Sequence, residues 1–99
     1  MLNITKNVNG KELTIALEGR LDTVTSPSLE SELKSSLEGV EKLVMDLAQL
    51  QYISSAGLRV LLSAQKIMNA QGCMIVRNAS EDVREIFDVT GFSDILTIE

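Results

Sequence analysis

The chain has 99 residues, a formal net charge of −5, one cysteine and no histidine. That length suits a single domain, expected to run over residues 1–99, and an acidic balance without any basic block argues against both a nucleic-acid surface and an anionic membrane surface. A lone cysteine makes no intrachain disulfide or thiolate zinc site, no apolar run is long enough to span a bilayer, and the missing histidine removes the commonest general base and metal ligand, so no metal or cofactor is expected.

Residues 2–8 alternate, with Leu2, Ile4 and Val8 as the apolar set, and the turn signal Asn9-Gly10 follows. Alternation resumes over 12–17 with Leu13, Ile15 and Leu17, so the opening reads as a β-hairpin. Ser26 before Pro27 predicts a helix start, a side-chain acceptor at the cap and then a residue with no N–H to satisfy. Leu29, Leu33 and Leu37 share one face of that helix, and Gly39 ends it. Leu43-Val44-Met45 reads as a buried strand leaving at Asp46, with a loop through Gln51. From about 54 to 69 the pattern is helical again, Leu58, Leu61, Leu62, Ala64 and Met68 forming a broad apolar face, closed by Gln71-Gly72. Cys73-Met74-Ile75-Val76 reads as another buried strand, with Cys73 an inert buried thiol. Ser80-Glu81-Asp82 caps a third helix whose inward stripe is Val83, Ile86 and Phe87, Gly91 terminates it, and 95–98 forms a short last strand or edge segment.

Strand–helix–strand repeats imply parallel pairing through right-handed crossovers. The expected fold is therefore a single α/β domain, a mixed sheet of four to five strands packed with helices, opening with a β-hairpin and continuing in βαβ units. Aromatics are 3% of the chain, so the core must be aliphatic. The first six residues lack the basic region and apolar core of a secretory leader, and the cytoplasm is the expected location.

The segment with most to explain is Tyr52-Ile53-Ser54-Ser55-Ala56-Gly57-Leu58-Arg59-Val60-Leu61-Leu62. Two serines stand where a strand enters a helix, and either could cap it. Gly57 in the first helical turn gives up helix propensity, and its missing side chain lets something approach the backbone closely. Carboxylates at Asp22, Asp46, Glu81 and Asp82 fall at caps and loops, without a spacing that compels an acid–base pair or a metal site. The glycines form neither a phosphate-binding loop nor a dinucleotide fingerprint.

Residues 52–62 resemble the signature of STAS-domain proteins, in particular the bacterial anti-sigma factor antagonists, whose usual pattern is Asp-Ser-Ser/Thr-Gly-Leu at a helix start. Aligned on Gly57-Leu58, the resemblance puts Ser55 at the phosphoacceptor, Ser54 at the acidic position and Ala56 at the second hydroxyl position. Gly19-Arg20-Leu21-Asp22 is similar to the family's Gly-Glu-Leu-Asp segment, and the element order extends the likeness over the whole chain. The resemblance implies partner switching. On that resemblance the unmodified protein is expected to bind an anti-sigma factor, itself a serine/threonine kinase, and free the sigma factor; phosphorylation of Ser55 would break that complex and a serine phosphatase restore it. The expected partner surface is Asp22, Ser54, Ala56, Gly57 and Arg59, Arg59 as a solvated or partner-facing charge, and the chain is expected to be a monomer or a weak dimer. A phosphate at a helix N-terminus is tolerated by the fold, so modification should act on binding and not on folding.

Two alternatives stand beside this. One is a STAS module that is not phosphorylated and serves a transport or stress-signalling assembly, with Ser55 as a mere cap. The other is a small enzyme with Ser55 as nucleophile, which the lack of histidine disfavours because a serine nucleophile needs a base beside it.

Overall fold

The computed structural model describes residues 2–99; Met1, included in the expected 1–99 span, lies outside them. Strands β1 (Leu2–Asn9) and β2 (Glu12–Leu21) form the expected antiparallel hairpin, paired from Asn9↔Glu12 to Leu2↔Gly19. Gly10 sits in the turn at φ +63°, a left-handed conformation that glycine adopts without steric penalty. Helix α1 (Ser26–Ser36), strand β3 (Lys42–Ile53), helix α2 (Ser55–Gln71), strand β4 (Cys73–Arg77) and helix α3 (Glu81–Thr90) follow, with a 3-10 turn at Phe92–Asp94. The sheet order is β1-β2-β3-β4, and the β2–β3 and β3–β4 pairs are parallel. The mixed sheet anticipated from the element order is therefore present, at four strands.

One core joins sheet and helices. Leu13, Ile15, Leu17 and Leu21 of β2 pack with Leu43, Met45, Leu47, Leu50 and Ile53 of β3. The same cluster holds Leu29 and Leu33 of α1, Leu58, Leu61, Ala64 and Met68 of α2, and Val83 and Phe87 of α3. The even-numbered side chains of β2 from Glu12 to Glu18 are half-buried or exposed, so one face of this strand is dry and the other is not. Among the described residues, no helix is long and apolar enough to cross a membrane.

Three local expectations are corrected. The segment after Asp46 is strand, not loop: β3 runs on to Ile53. Its inward residues Leu47, Leu50 and Ile53 recur every third position, a spacing that hides a strand from period-two reading. Two bulges make it work. β3 advances from Asp46 to Gln49 while β2 advances from Ala16 to Glu18, and again from Leu50 to Tyr52 while β2 advances from Gly19 to Arg20. Each extra residue flips the pleat, bringing Leu50 and then Ile53 back to the core side.

Ser26 is not the cap of α1. Thr25 holds that position without a side-chain cap bond, and Ser26 is a buried first helical residue whose hydroxyl donates to the Asp22 carbonyl at 2.5 Å. Cys73 is exposed, because the alternation that turns Met74 and Val76 inward turns Cys73 outward. Of the two forms expected for 95–98, the edge segment is the one present: Ile98 makes an isolated parallel bridge to Val76, with the Val76 N–H donating to Thr97 O at 2.8 Å and the Glu99 N–H donating to Val76 O at 2.9 Å.

The passage from α2 into β4 depends on Gly72. A Cβ there would lie 1.8 Å from the Glu41 carbonyl oxygen, a backbone atom that accepts the Cys73 N–H at 3.0 Å. Beside it, the Gln71 side-chain amide donates to the carbonyls of Leu37 and Val40 at 2.6 Å each, fastening the end of α2 to the segment that leads into β3.

Candidate functional site

Parallel strands β2 and β3 end side by side, at Leu21 and Ile53, and their exits build one site at the carboxyl edge of the sheet. The Ser54 N–H donates to Leu21 O at 2.8 Å, which brings the segment before Asp22 against the start of α2. Open α/β sheets commonly place their functional loops at this edge.

The two serines have separate jobs. Ser54 is the N-cap of α2, with extended backbone (φ −97°, ψ 176°), and its hydroxyl accepts the Gly57 N–H at 3.4 Å. Its carbonyl accepts the first helical bond, from the Leu58 N–H at 2.9 Å. Ser55 is the first helical residue, is exposed, and its hydroxyl has no hydrogen-bond partner among the described residues. Backbone N–H groups at the start of a helix lack intrahelical acceptors, and they surround Ser55 with a positive helix end.

Gly57, expected at the partner surface, is buried. A Cβ at this position would lie 2.8 Å from Leu21 Cγ and 2.9 Å from Ile53 Cγ1. What approaches the Gly57 backbone is therefore the protein's own core. Leu58 and Val60 are buried as well.

Asp22 is turned back on its own loop. One carboxylate oxygen accepts the N–H groups of Val24 at 3.0 Å and Thr25 at 3.1 Å, and the Thr25 hydroxyl lies 3.2 Å away. The Thr25 N–H holds the Asp22 carboxyl below the usual carboxylate range. Asp22 thus shapes the β2–α1 turn against which α2 begins.

Arg20 and Tyr52, to which the motif reading assigned no role, lie on neighbouring strands in register with each other. The Arg20 guanidinium stands 4.5 Å over the Tyr52 ring and its Nε is 3.9 Å from Asp22 Oδ2. Both belong to the two motif segments, and the pairing of those segments as parallel strand ends was the signal for them. A shallow groove of about 200 Å³ lies between α1 and α2, lined by Thr23, Ser26, Pro27, Glu30, Ala56, Arg59 and Val60. Ala56 and Arg59 meet there. Arg59 is exposed and makes no ion pair among the described residues.

The chemistry open to this arrangement is that of an acceptor. A free hydroxyl at a positive helix end can take a phosphoryl group, and among the described residues no side chain is hydrogen-bonded to it as a base. Among the described residues there is also no cluster of three or more His, Cys, Asp or Glu side chains that could hold a metal ion.

Comparison with known proteins gives a consistent result. The family model described as STAS domain matches residues 3–99. BtrV of Bordetella bronchiseptica, whose name assigns it provisionally to the anti-sigma factor antagonists, is 38% identical, the match covering 87% of this chain and 76% of BtrV. The anti-sigma-B factor antagonist of Bacillus subtilis is 29% identical over 98% of this chain and 90% of its own. Among solved structures, the Bacillus protein SpoIIAA matches in its unphosphorylated form with a TM-score of 0.78 at 19% identity, covering 98% of this chain and 87% of that one. Its phosphorylated form matches with a TM-score of 0.76, again at 19% identity, covering 98% and 91%. At that identity the likeness to SpoIIAA is one of fold.

Proposed function

The chain belongs to the STAS domain family, and from that premise we propose that it is an anti-sigma factor antagonist whose binding is switched at Ser55. Unmodified, it binds an anti-sigma factor that is also a serine/threonine kinase and so frees the sigma factor; phosphorylated on Ser55, it lets that partner go, and a serine phosphatase resets it. The observation that carries this reading is the division of labour at the head of α2. Ser54 does the capping, which leaves the Ser55 hydroxyl exposed, unbonded and at the tip of the site. A serine serving only as a cap would carry the bond that Ser54 carries.

The surface offered to the partner is built around Ser55 from Ala56 and Arg59 on α2 and Arg20 and Tyr52 at the sheet edge, with Asp22 shaping the adjoining turn and Gly57 supporting α2 from beneath. It works by binding, without catalysis of its own: the kinase brings both the phosphoryl donor and the base. Phosphoserine adds roughly −1.5 to −2 charges. Against one partner carboxylate within about 4 Å, at an effective dielectric constant near 20, each unit of that charge is worth roughly 4 kcal/mol. That is enough to weaken a complex by about a thousandfold. The fold bears the same charge easily, because it sits in solvent at a helix N-terminus, where an anion is stabilising by roughly 0.3–1 kcal/mol. The site of action is the cytoplasm, where sigma factors work.

The test is to incubate the chain with ATP and the anti-sigma kinases of the same genome, and to map the label by mass spectrometry. One phosphate on Ser55 is expected, and none on the Ser55→Ala protein. Label on Ser54, or no label from any such kinase while transport components co-purify with the chain, would favour the unphosphorylated binding module.

A further inference from the structure

Among the described residues, no hydrogen bond or ion pair ties the Arg59 guanidinium to the rest of the fold. Arg59 is exposed, has no counter-ion among the described residues, and lies on the wall of the α1–α2 groove beside Ala56. It also stands four residues after Ser55 within one continuous helix. Residues four apart share a helix face, with Cβ atoms about 5–6 Å apart. Helical side chains lean toward the N-terminus, so a long residue covers the turn before its own Cα. For Arg59 that turn is the one that begins with Ser55.

We propose that Arg59 is an intrachain clamp for the phosphate of phosphoserine 55. This rests on the reading of Ser55 as the phosphoacceptor. A guanidinium presents two parallel N–H donors that match two phosphate oxygens, and it stays charged at every physiological pH. The competing anions are few. Glu30, across the groove on α1, is engaged with Lys34 at 3.3 Å, and Asp22, at the turn behind, is engaged with Val24 and Thr25. The clamp makes the switch two-sided: phosphorylation adds an anion to the partner surface and withdraws a cation from it. A partner that meets the unmodified protein with an acidic group opposite Arg59 loses that attraction in the same event.

The experiment needs no kinase. Phosphoserine is placed at position 55 of the full chain during translation, and its second ionisation is followed by 31P NMR across pH 4.5–8 (range chosen around an ordinary pKa of about 6). In the parent protein this pKa should lie about 0.3–0.5 unit below that of the Arg59→Gln variant, a two- to threefold difference in proton affinity, as suits an exposed pair. Arg59→Lys should recover part of the shift, and about 1 M salt should shrink it. The helix-end N–H groups are common to both proteins and cancel in the comparison. Circular dichroism confirms that the variants are folded. Coincident titrations for parent and Arg59→Gln would overturn the clamp. Such a result leaves the Ser55 switch standing if a kinase still labels Ser55, whereas label elsewhere sinks the switch whatever the titrations show.

Discussion

Gly57→Ala is a sharp probe of how the site is supported, because two opposing terms can be weighed. In a helix interior alanine is favoured over glycine by about 1 kcal/mol, and by less in the first turn where Gly57 stands. Against this, the new methyl would lie 2.8 Å from Leu21 Cγ, 2.9 Å from Leu21 Cδ2 and 2.9 Å from Ile53 Cγ1. Leu21 is 0% exposed and Ile53 2%, each packed where a strand ends, so neither has room to retreat. Overpacking of this kind costs about 1–3 kcal/mol. The overlap wins, for a net loss of about 1–2 kcal/mol. In a domain of this size that lowers the thermal midpoint by roughly 5–15 °C. The assay is thermal and urea unfolding followed by circular dichroism. A midpoint equal to or above that of the parent would refute the reasoning, since helix propensity would then have prevailed and the α2–sheet contact would be looser than the distances say. If Ser55 has the role proposed above, displacing the head of α2 from the strand ends should also slow its phosphorylation in the same variant.

Three further expectations follow from single contacts. Ser54→Ala removes the cap of α2 and should lower stability by about 0.5–1 kcal/mol, while Ser55→Ala should lie within about 0.5 kcal/mol of the parent; equal losses in chemical denaturation would mean that the two hydroxyls share the capping. Gly72→Ala sets a methyl 1.8 Å from the Glu41 carbonyl oxygen, a backbone atom on the β3 side, and should cost more than about 3 kcal/mol or abolish folding, with amide exchange in β4 the most affected; retention of the parent midpoint would show that the two segments can part. The carboxyl of Asp22 is lowered in the folded state, so its contribution is complete above the unfolded value near 3.9 and is lost as the pH falls through the lower folded value. The stability difference between the parent and Asp22→Ala should accordingly be flat from about pH 5 to 8 and narrow only in acid; a gap that narrows between pH 5 and 7 would contradict this.

The fold was legible wherever a local rule and the tertiary structure agree. The Asn9-Gly10 hairpin, the leucine stripe of α1, the Ser80 cap with Gly91 beyond α3, and the buried Met74 and Val76 are all present as the pattern demands. It was illegible where pairing overrode local pattern. The second half of β3 has a three-residue apolar spacing that only the bulges against β2 convert into a strand face, and no local signal in that segment announces a bulge. Cys73 was misjudged because a run of four apolar residues does not say which two face inward. Ser26 before Pro27 satisfies the capping rule, yet the Asp22–Thr25 turn supplies the geometry and takes Ser26 into the helix. At the site, the resemblance put Ser55 at a helix start, and it is the first residue of α2, but spacing alone did not divide the roles of the two serines. That needed the backbone angle of Ser54 and its bond to the Gly57 N–H. Gly57 was read as an opening toward a partner, and the volume is taken by Leu21 and Ile53. Arg20 and Tyr52 lie far apart in the sequence and became neighbours only through the β2–β3 register.

The central claim is that the state of Ser55 decides who binds and not whether the domain folds. It is tested most directly by titrating the cognate anti-sigma factor with the unmodified chain and with the chain carrying phosphoserine at position 55, and by melting both. The unmodified chain should bind, the phosphorylated one should bind at least about a hundredfold more weakly, and their midpoints should agree within a few degrees. Equal affinities, or a phosphorylated chain that has unfolded, would contradict it.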